Sequence, residues 1–230
     1  MEGKEKVLEP GRILLDSGTS YSKVYHLDSD RREIIPTRKL RARLGEYEVE
    51  AATGHNASRF SRRSINELVA LAQGGRRLID EDDFLLLDCG SRDIKYVHLK
   101  DGRLKNMNWN TECGAFSGTT VEMLLKNFDL TLEDVSPQSK GIAVTCGVLG
   151  MTALFDLIAN DVPPGDAVGM FIKGIADNCY NFAGRPGKLY LSGGFCENPV
   201  FLKSFDCEVI PLGRFVLVEG LREEVEEGDA

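Results

Sequence analysis

The chain alternates short apolar runs with small, polar turns, and the periodicity changes along it. Arg12–Asp16 (RILLD), Lys23–Leu27 (KVYHL) and Arg32–Thr37 read as three consecutive strands. The first two are joined by the hydroxyl-rich turn Ser17-Gly18-Thr19-Ser20, and Val49–Ala52 reads as a fourth strand. Helical spacing follows over Ser61–Ala72. There Ile65, Leu68, Val69 and Ala72 share one face, Ser61 or Ser64 serves as the cap, and Gly74-Gly75 is the expected stop. The pattern then restarts. Asp83–Asp88 (DFLLLD), Lys95–Leu99 and Arg103–Asn108 are strand-like, and helical runs cover Thr119–Asn127, Thr152–Ala159 and Asp166–Phe182. Lys188–Leu191 is a buried strand ending at Ser192-Gly193-Gly194, and a short helix and the strand Cys207–Ile210 close the series.

The restart is literal. LLDSGTSYSKVYHL (Leu14–Leu27) and LLDCGSRDIKYVHL (Leu86–Leu99) share seven of fourteen positions at an offset of 72. Each half opens with three antiparallel strands and continues with alternating helices and strands, which predicts a duplicated α/β unit. The boundary falls near 74–82, so the expected subdomains are 1–82 and 83–230.

Composition narrows the class. The chain has 230 residues, a net charge of −8 and 28% charged residues, an ordinary globular balance that argues against a nucleic-acid partner. No apolar run is long enough to span a bilayer, and the charged start MEGKEK does not read as a signal peptide, so no membrane association and a cytoplasmic location are expected. Six cysteines are too sparse for a disulfide scaffold.

The repeated turn suggests its own chemistry. Gly and Ser/Thr at a hairpin tip let backbone approach a polyphosphate closely, and an Asp at the strand end can hold hydrated Mg²⁺ or position a water. Asp16 and Asp88 are the candidate catalytic residues. Gly18, Thr19, Ser20 and Lys23 in the first half, and Gly90, Ser91, Arg92, Asp93 and Lys95 in the second, are candidate contacts for a nucleotide. Ser192, Gly193, Gly194 and Asn198, where a strand runs into Gly-Gly and then a helix, make a flat surface suited to a nucleoside.

This three-part arrangement resembles the ATPase superfamily of sugar and acetate kinases, actin and the heat-shock ATPases. The resemblance implies a duplicated ribonuclease H-like (actin-like ATPase) fold, with ATP or ADP in a cleft between two subdomains. Two further segments, Met107–Leu124 (MNWNTECGAFSGTTVEML) and Gly141–Ile158 (GIAVTCGVLGMTALFDLI), each place a Cys just ahead of a helix, a favourable field for a thiolate. With Asp88-Cys-Gly90-Ser-Arg92-Asp93-Ile-Lys95 and Ser192-Gly193-Gly194-Phe-Cys-Glu-Asn198, they are similar to the motifs of the activator ATPases of 2-hydroxyacyl-CoA dehydratases and their benzoyl-CoA reductase relatives. Arg92 stands where that family has Gln, Ser91 where it has its second Gly, and Phe116 where it has a Gly.

The resemblance implies a homodimer with one 4Fe–4S cluster on its two-fold axis, ligated by Cys113 and Cys146 of each subunit. It also implies ATP-driven delivery of a low-potential electron to a dehydratase- or reductase-like iron–sulfur protein, with ferredoxin or flavodoxin as donor. The alternative is a small-molecule kinase or ATP-binding regulator of the same superfamily, without a cluster. Cys89, Cys179, Cys196 and Cys207 read as packing residues, and His26 and His98 as matched sheet positions. Trp109 reads as core packing or as a shield or partner contact near Cys113.

Overall fold

The computed structural model describes residues 11–111, 117–144 and 147–228. Two mixed sheets are built on one plan. β1 (Gly11–Ser17), β2 (Tyr21–His26) and β3 (Arg31–Pro36) form an antiparallel meander, and β4 (Tyr47–Gly54) adds parallel to β1, giving the order β3-β2-β1-β4. β5 (Phe84–Cys89), β6 (Ile94–Lys100) and β7 (Arg103–Asn110) repeat the meander. β8 (Lys188–Ser192) pairs parallel to β5 and β9 (Glu208–Gly213) to β8, so the second order is β7-β6-β5-β8-β9. The architecture is the duplicated α/β one expected from the repeat.

Between β3 and β4 lies α1 (Thr37–Arg43), which the apolar pattern does not reveal because Leu40 is its one buried residue. α2 (Glu67–Leu78) links the halves. α3 (Ser117–Asn127), α4 (Gly147–Ala159) and α5 (Pro164–Phe182) separate β7 from β8, α6 (Pro199–Leu202) precedes β9, and α7 (Val216–Gly228) follows it. No helix among the described residues is long and apolar enough to cross a membrane.

α2 and α7 form the middle layer. Ala70, Leu71, Val216 and Leu217 pack on Phe84, Leu86, Val97 and Leu99 of the second sheet. Val218, Leu221 and Val225 of α7 pack on Leu14, Tyr25 and Ala51 of the first. The outer faces have cores of their own, with Ile13, Leu15 and Val24 on one side and Leu85, Leu87, Phe171 and Ile172 on the other. β1 and β5 are thus covered on both faces, which is why they read as unbroken apolar runs. Full burial of each such Leu contributes about 1.5–3 kcal/mol.

Two expectations need correction at α2. The helix begins at Glu67, not Ser61, and its cap is Asn66, whose side chain accepts from the Leu68 N–H. Gly74-Gly75 does not stop it but lies inside, where Gly74 meets the α7 backbone and Gly75 the Phe84 and Leu86 side chains too closely for a Cβ. A Cβ on Gly74 would sit 1.9 Å from the Val216 carbonyl oxygen, and one on Gly220 2.0 Å from that of Ala70. The pair is also tied by charge: buried Glu219 of α7 is 2.6 Å from Arg32, 3.3 Å from Arg77 and 3.2 Å from Arg222.

Candidate functional site

Side chains alternate along a strand, so Asp16 shares the face of Leu14 and Asp88 that of Leu86. Both faces look onto the α2–α7 layer. The offset of 72 therefore brings the two aspartates from separate sheets to one cavity of about 400 Å³. Asp16, Gly18, Thr19, Ser20 and Lys23 line one side of it. Asp88, Gly90, Ser91, Arg92, Asp93 and Lys95 line another, with Gly193, Gly194 and Asn198 on the wall. The two turn tips touch: the Ser20 hydroxyl donates to Ser91 Oγ at 3.0 Å.

The spacing of seven between Asp and Lys is hairpin register. Asp16 pairs with Lys23 across β1–β2, and Asp88 with Lys95 across β5–β6. Lys23 Nζ donates to Asp16 Oδ2 at 2.8 Å. Buried Lys95 lies 3.5 Å from Asp88, 3.1 Å from Asp93 and 2.8 Å from Glu67, and its ammonium sits 5.3 Å from the centre of the Trp109 ring. Burial works against the charge on Lys95, but Asp88, Glu67 and Asp93 together more than reverse that and raise its pKa. Burial would raise Asp93, yet the neighbouring Lys95 holds it below the usual carboxylate range. Glu67 moves the other way: burial pushes it up, and Lys95 offsets this only in part.

Ser192 does not line the cavity. Its buried hydroxyl donates to Asp88 Oδ1 at 2.6 Å and orients that carboxylate. The Asn198 side-chain oxygen is occupied in capping α6, accepting from the Val200 and Phe201 N–H groups. Gly193 has φ +87° and its Cα faces the Cys89 carbonyl, where a Cβ would come within 2.3 Å. The first turn is tied to α1, since the Thr37 hydroxyl donates to the Gly18 carbonyl at 2.8 Å and the Thr37 N–H to that of Ser20 at 2.9 Å. The second is tied to α3, where the Thr119 hydroxyl and N–H both reach the Ser91 carbonyl and a Cβ on Gly118 would meet Ser91 Cα at 2.9 Å.

Glu67, Tyr21, Glu122, Glu197 and Arg214 also line the cavity, and none was among the residues expected to form the site. Glu67 carried a local signal as the first residue of a helix after the capping Asn66, and Glu122 stood in the segment that resembles the activator ATPases. His26 and His98 lie away from the cavity lining. Buried His26 is 2.8 Å from Arg31.

Cys113 and Cys146 lie outside the described residues. Among the described residues, no group of three or more His, Cys, Asp and Glu side chains is arranged to hold a metal ion. Cys89, Cys179 and Cys196 are buried, Cys207 only in part, and the Cys89 and Cys179 sulfurs lie 3.7 Å apart. Burial pushes the Cys89 thiol well up, and burial with Glu197 nearby pushes Cys196 up to about 11. Thiol alkylation needs the thiolate, which at pH 8 is then about one Cys196 in a thousand. Brief iodoacetamide treatment of folded protein at pH 8 is therefore expected to leave Cys89, Cys179 and Cys196 unmodified by peptide mass spectrometry, and to label all three in denaturant.

The two-sheet α/β architecture with a shared cavity is an actin-like ATPase fold. An activator of 2-hydroxyisocaproyl-CoA dehydratase from Clostridium difficile, with bound ADPNP, superposes with a TM-score of 0.74 at 21% identity over 95% of this chain and 97% of that one. In sequence, the chain is similar to an (R)-2-hydroxyglutaryl-CoA dehydratase activating ATPase from Acidaminococcus fermentans, 21% identical over 122 residues, 49% of this chain. It is also similar to an activator of lactoyl-CoA dehydratase from Anaerotignum propionicum, 24% identical over 159 residues, 64% of this chain. These relatives are activators of 2-hydroxyacyl-CoA dehydratases, and the matched stretches span 47% and 61% of the two curated ones. No family model matches the chain.

Proposed function

We propose that this chain is an ATP-hydrolysing activator of a dehydratase- or reductase-like iron–sulfur partner, working as a homodimer that carries a 4Fe–4S cluster. The observation that supports it most is the convergence of both D-x-G turns and the Gly193-Gly194 turn on one cavity. In this reading Gly18, Thr19 and Ser20 and Gly90, Ser91 and Arg92 hold the polyphosphate from two sides, and Gly193-Gly194 supports the nucleoside.

The inner end of the cavity carries Asp16, Asp88, Asp93 and Glu67 against the ammonium groups of Lys23 and Lys95. That excess of carboxylate fits Mg²⁺, which favours one or two carboxylates with phosphate oxygens and waters. Asp16 and Asp88 are the carboxylates that would hold it. Lys23 holds one oxygen of Asp16, and Ser192 and Lys95 reach the two oxygens of Asp88, so both carboxylates are oriented in advance.

Cys113 and Cys146 are the thiolates we assign to the cluster. They precede α3 and α4 in sequence, and a second copy related by two-fold symmetry raises the donor count from two to the four a 4Fe–4S cluster takes. When bound, the cluster supplies a one-electron carrier at low potential, fed by a ferredoxin or flavodoxin. The chain's own contribution is the link between sites: Ser91 of the second turn bonds Thr119, two residues into the helix that follows Cys113. A movement of that turn on nucleotide exchange is passed directly to α3.

Anaerobic reconstitution with iron and sulfide tests the reading. We expect a brown dimer with two irons per chain and absorbance near ~400 nm, loss of both in Cys113→Ser and Cys146→Ser, and ATP hydrolysis by the protein. A colourless protein that takes up no iron yet phosphorylates a small molecule would instead establish the kinase alternative.

A further inference from the structure

Arg214 lies in the bend between β9 and α7, and it lines the cavity. It sits 5.4 Å from the ring centre of Tyr21, the residue that follows the first phosphate turn. Its Nη2 lies 4.0 Å from the position a Cβ on Gly194 would take. A contact from the second half thus reaches the first across the cleft. The contact is loosely held. Nη1 is 3.6 Å from the largely exposed Glu197 carboxylate, and Nε is buried with no hydrogen-bond partner.

The other cations of the cavity are committed. Lys23 is bonded to Asp16, Lys95 is shared by Asp88, Asp93 and Glu67, and Arg92 is 3.4 Å from Asp93. Arg214 combines a buried, unsatisfied donor with a position between the Gly194 turn and the first phosphate turn. A planar guanidinium offers paired N–H donors suited to phosphate oxygens and also stacks on an aromatic face, and Arg214 has a candidate for each role.

Resting on the nucleotide reading above, we propose that Arg214 is a nucleotide-sensing strap: it holds Tyr21 across the cleft and exchanges that ring for the diphosphate shared by ADP and ATP. The two contacts compete for one guanidinium. Loss of Tyr21 then favours nucleotide, while loss of Arg214 weakens only ligands that carry phosphate.

The test is equilibrium binding of adenosine, ADP and ATP, with Mg²⁺, to the wild-type chain and to Arg214→Gln, Arg214→Lys, Tyr21→Leu and the double variant Tyr21→Leu/Arg214→Gln. Circular dichroism melts verify that each is folded. For Arg214→Gln we expect ADP and ATP to bind at least about tenfold more weakly and adenosine to change by less than about twofold. Arg214→Lys should recover part of the loss, since it restores the charge without the fork. Tyr21→Leu should tighten ADP by about two- to fivefold, and that gain should vanish when Gln replaces Arg214 in the double variant. Equal losses for all three ligands, no loss in a folded Arg214→Gln, or weaker ADP binding by Tyr21→Leu would overturn the strap. If the wild-type chain binds none of the three, the nucleotide reading itself fails and the strap with it.

Discussion

Asp88→Ala is expected to lower ATP hydrolysis by at least about a hundredfold while the chain stays folded. The activity loss follows from position. Asp88 lies in β5 at the second D-x-G turn, its Oδ1 is fixed by Ser192, and on our reading it faces the metal and the attacking water. The fold survives because Lys95 is not left alone: Glu67 remains at 2.8 Å and Asp93 at 3.1 Å. What is lost structurally is the acceptor for the buried Ser192 hydroxyl, a cost of about 1–3 kcal/mol. Asp16→Ala should be as inactive but less stable, because Asp16 is the carboxylate that Lys23 pairs with. Phosphate release and urea unfolding measured on the same preparations separate the two effects. Hydrolysis by folded Asp88→Ala within tenfold of wild type would remove Asp88 from the proposed mechanism.

Gly74→Val is expected to destabilise the chain by more than about 3 kcal/mol, beyond ordinary overpacking. Two effects oppose each other. Gly inside a helix is about 1 kcal/mol worse than Ala, so a side chain at an exposed site would help. At Gly74 the new Cβ would lie 1.9 Å from the Val216 carbonyl oxygen, so α2 and α7 must separate. That crossing is the layer between both sheets, and the disturbance reaches the cores around Leu86 and Leu14. Gly220→Val should behave alike, with its Cβ 2.0 Å from the Ala70 carbonyl oxygen. Gly187→Ala, with nothing within 4 Å, is the neutral control. The measurement is the urea midpoint of each variant, and a shift at Gly74 no larger than at Gly187 would contradict the close crossing.

Much of the fold was legible because its signals are local. The unbroken apolar runs in RILLD and FLLLD, the Ser-Gly-Thr-Ser turn and the Gly-Gly after β8 each depend on a few neighbouring residues, and the repeat at offset 72 announced the duplication. The Asp–Lys spacing of seven was visible too, and hairpin register is its physical meaning. What the local pattern could not convey was contact between distant segments. Gly74-Gly75 looked like a helix stop, since nothing nearby in sequence shows that Val216 and Phe84 crowd those positions. α7, which returns to cover the first sheet, was not anticipated, as four acidic residues in Glu219–Glu226 mask its apolar face.

The site divides in the same way. The sequence by itself determined which residue types stand at the two turns, because the Gly, the hydroxyls and the Asp of each lie within one short segment. Only the tertiary structure decided that Glu67, Tyr21 and Arg214 join them. Glu67 lies 28 residues from Lys95, and Tyr21 lies 193 from Arg214, so no periodicity connects either pair. Two sheets packed on one α2–α7 layer bring them together, and there burial pushes Glu67 up while Asp88, Glu67 and Asp93 together raise Lys95 against its burial.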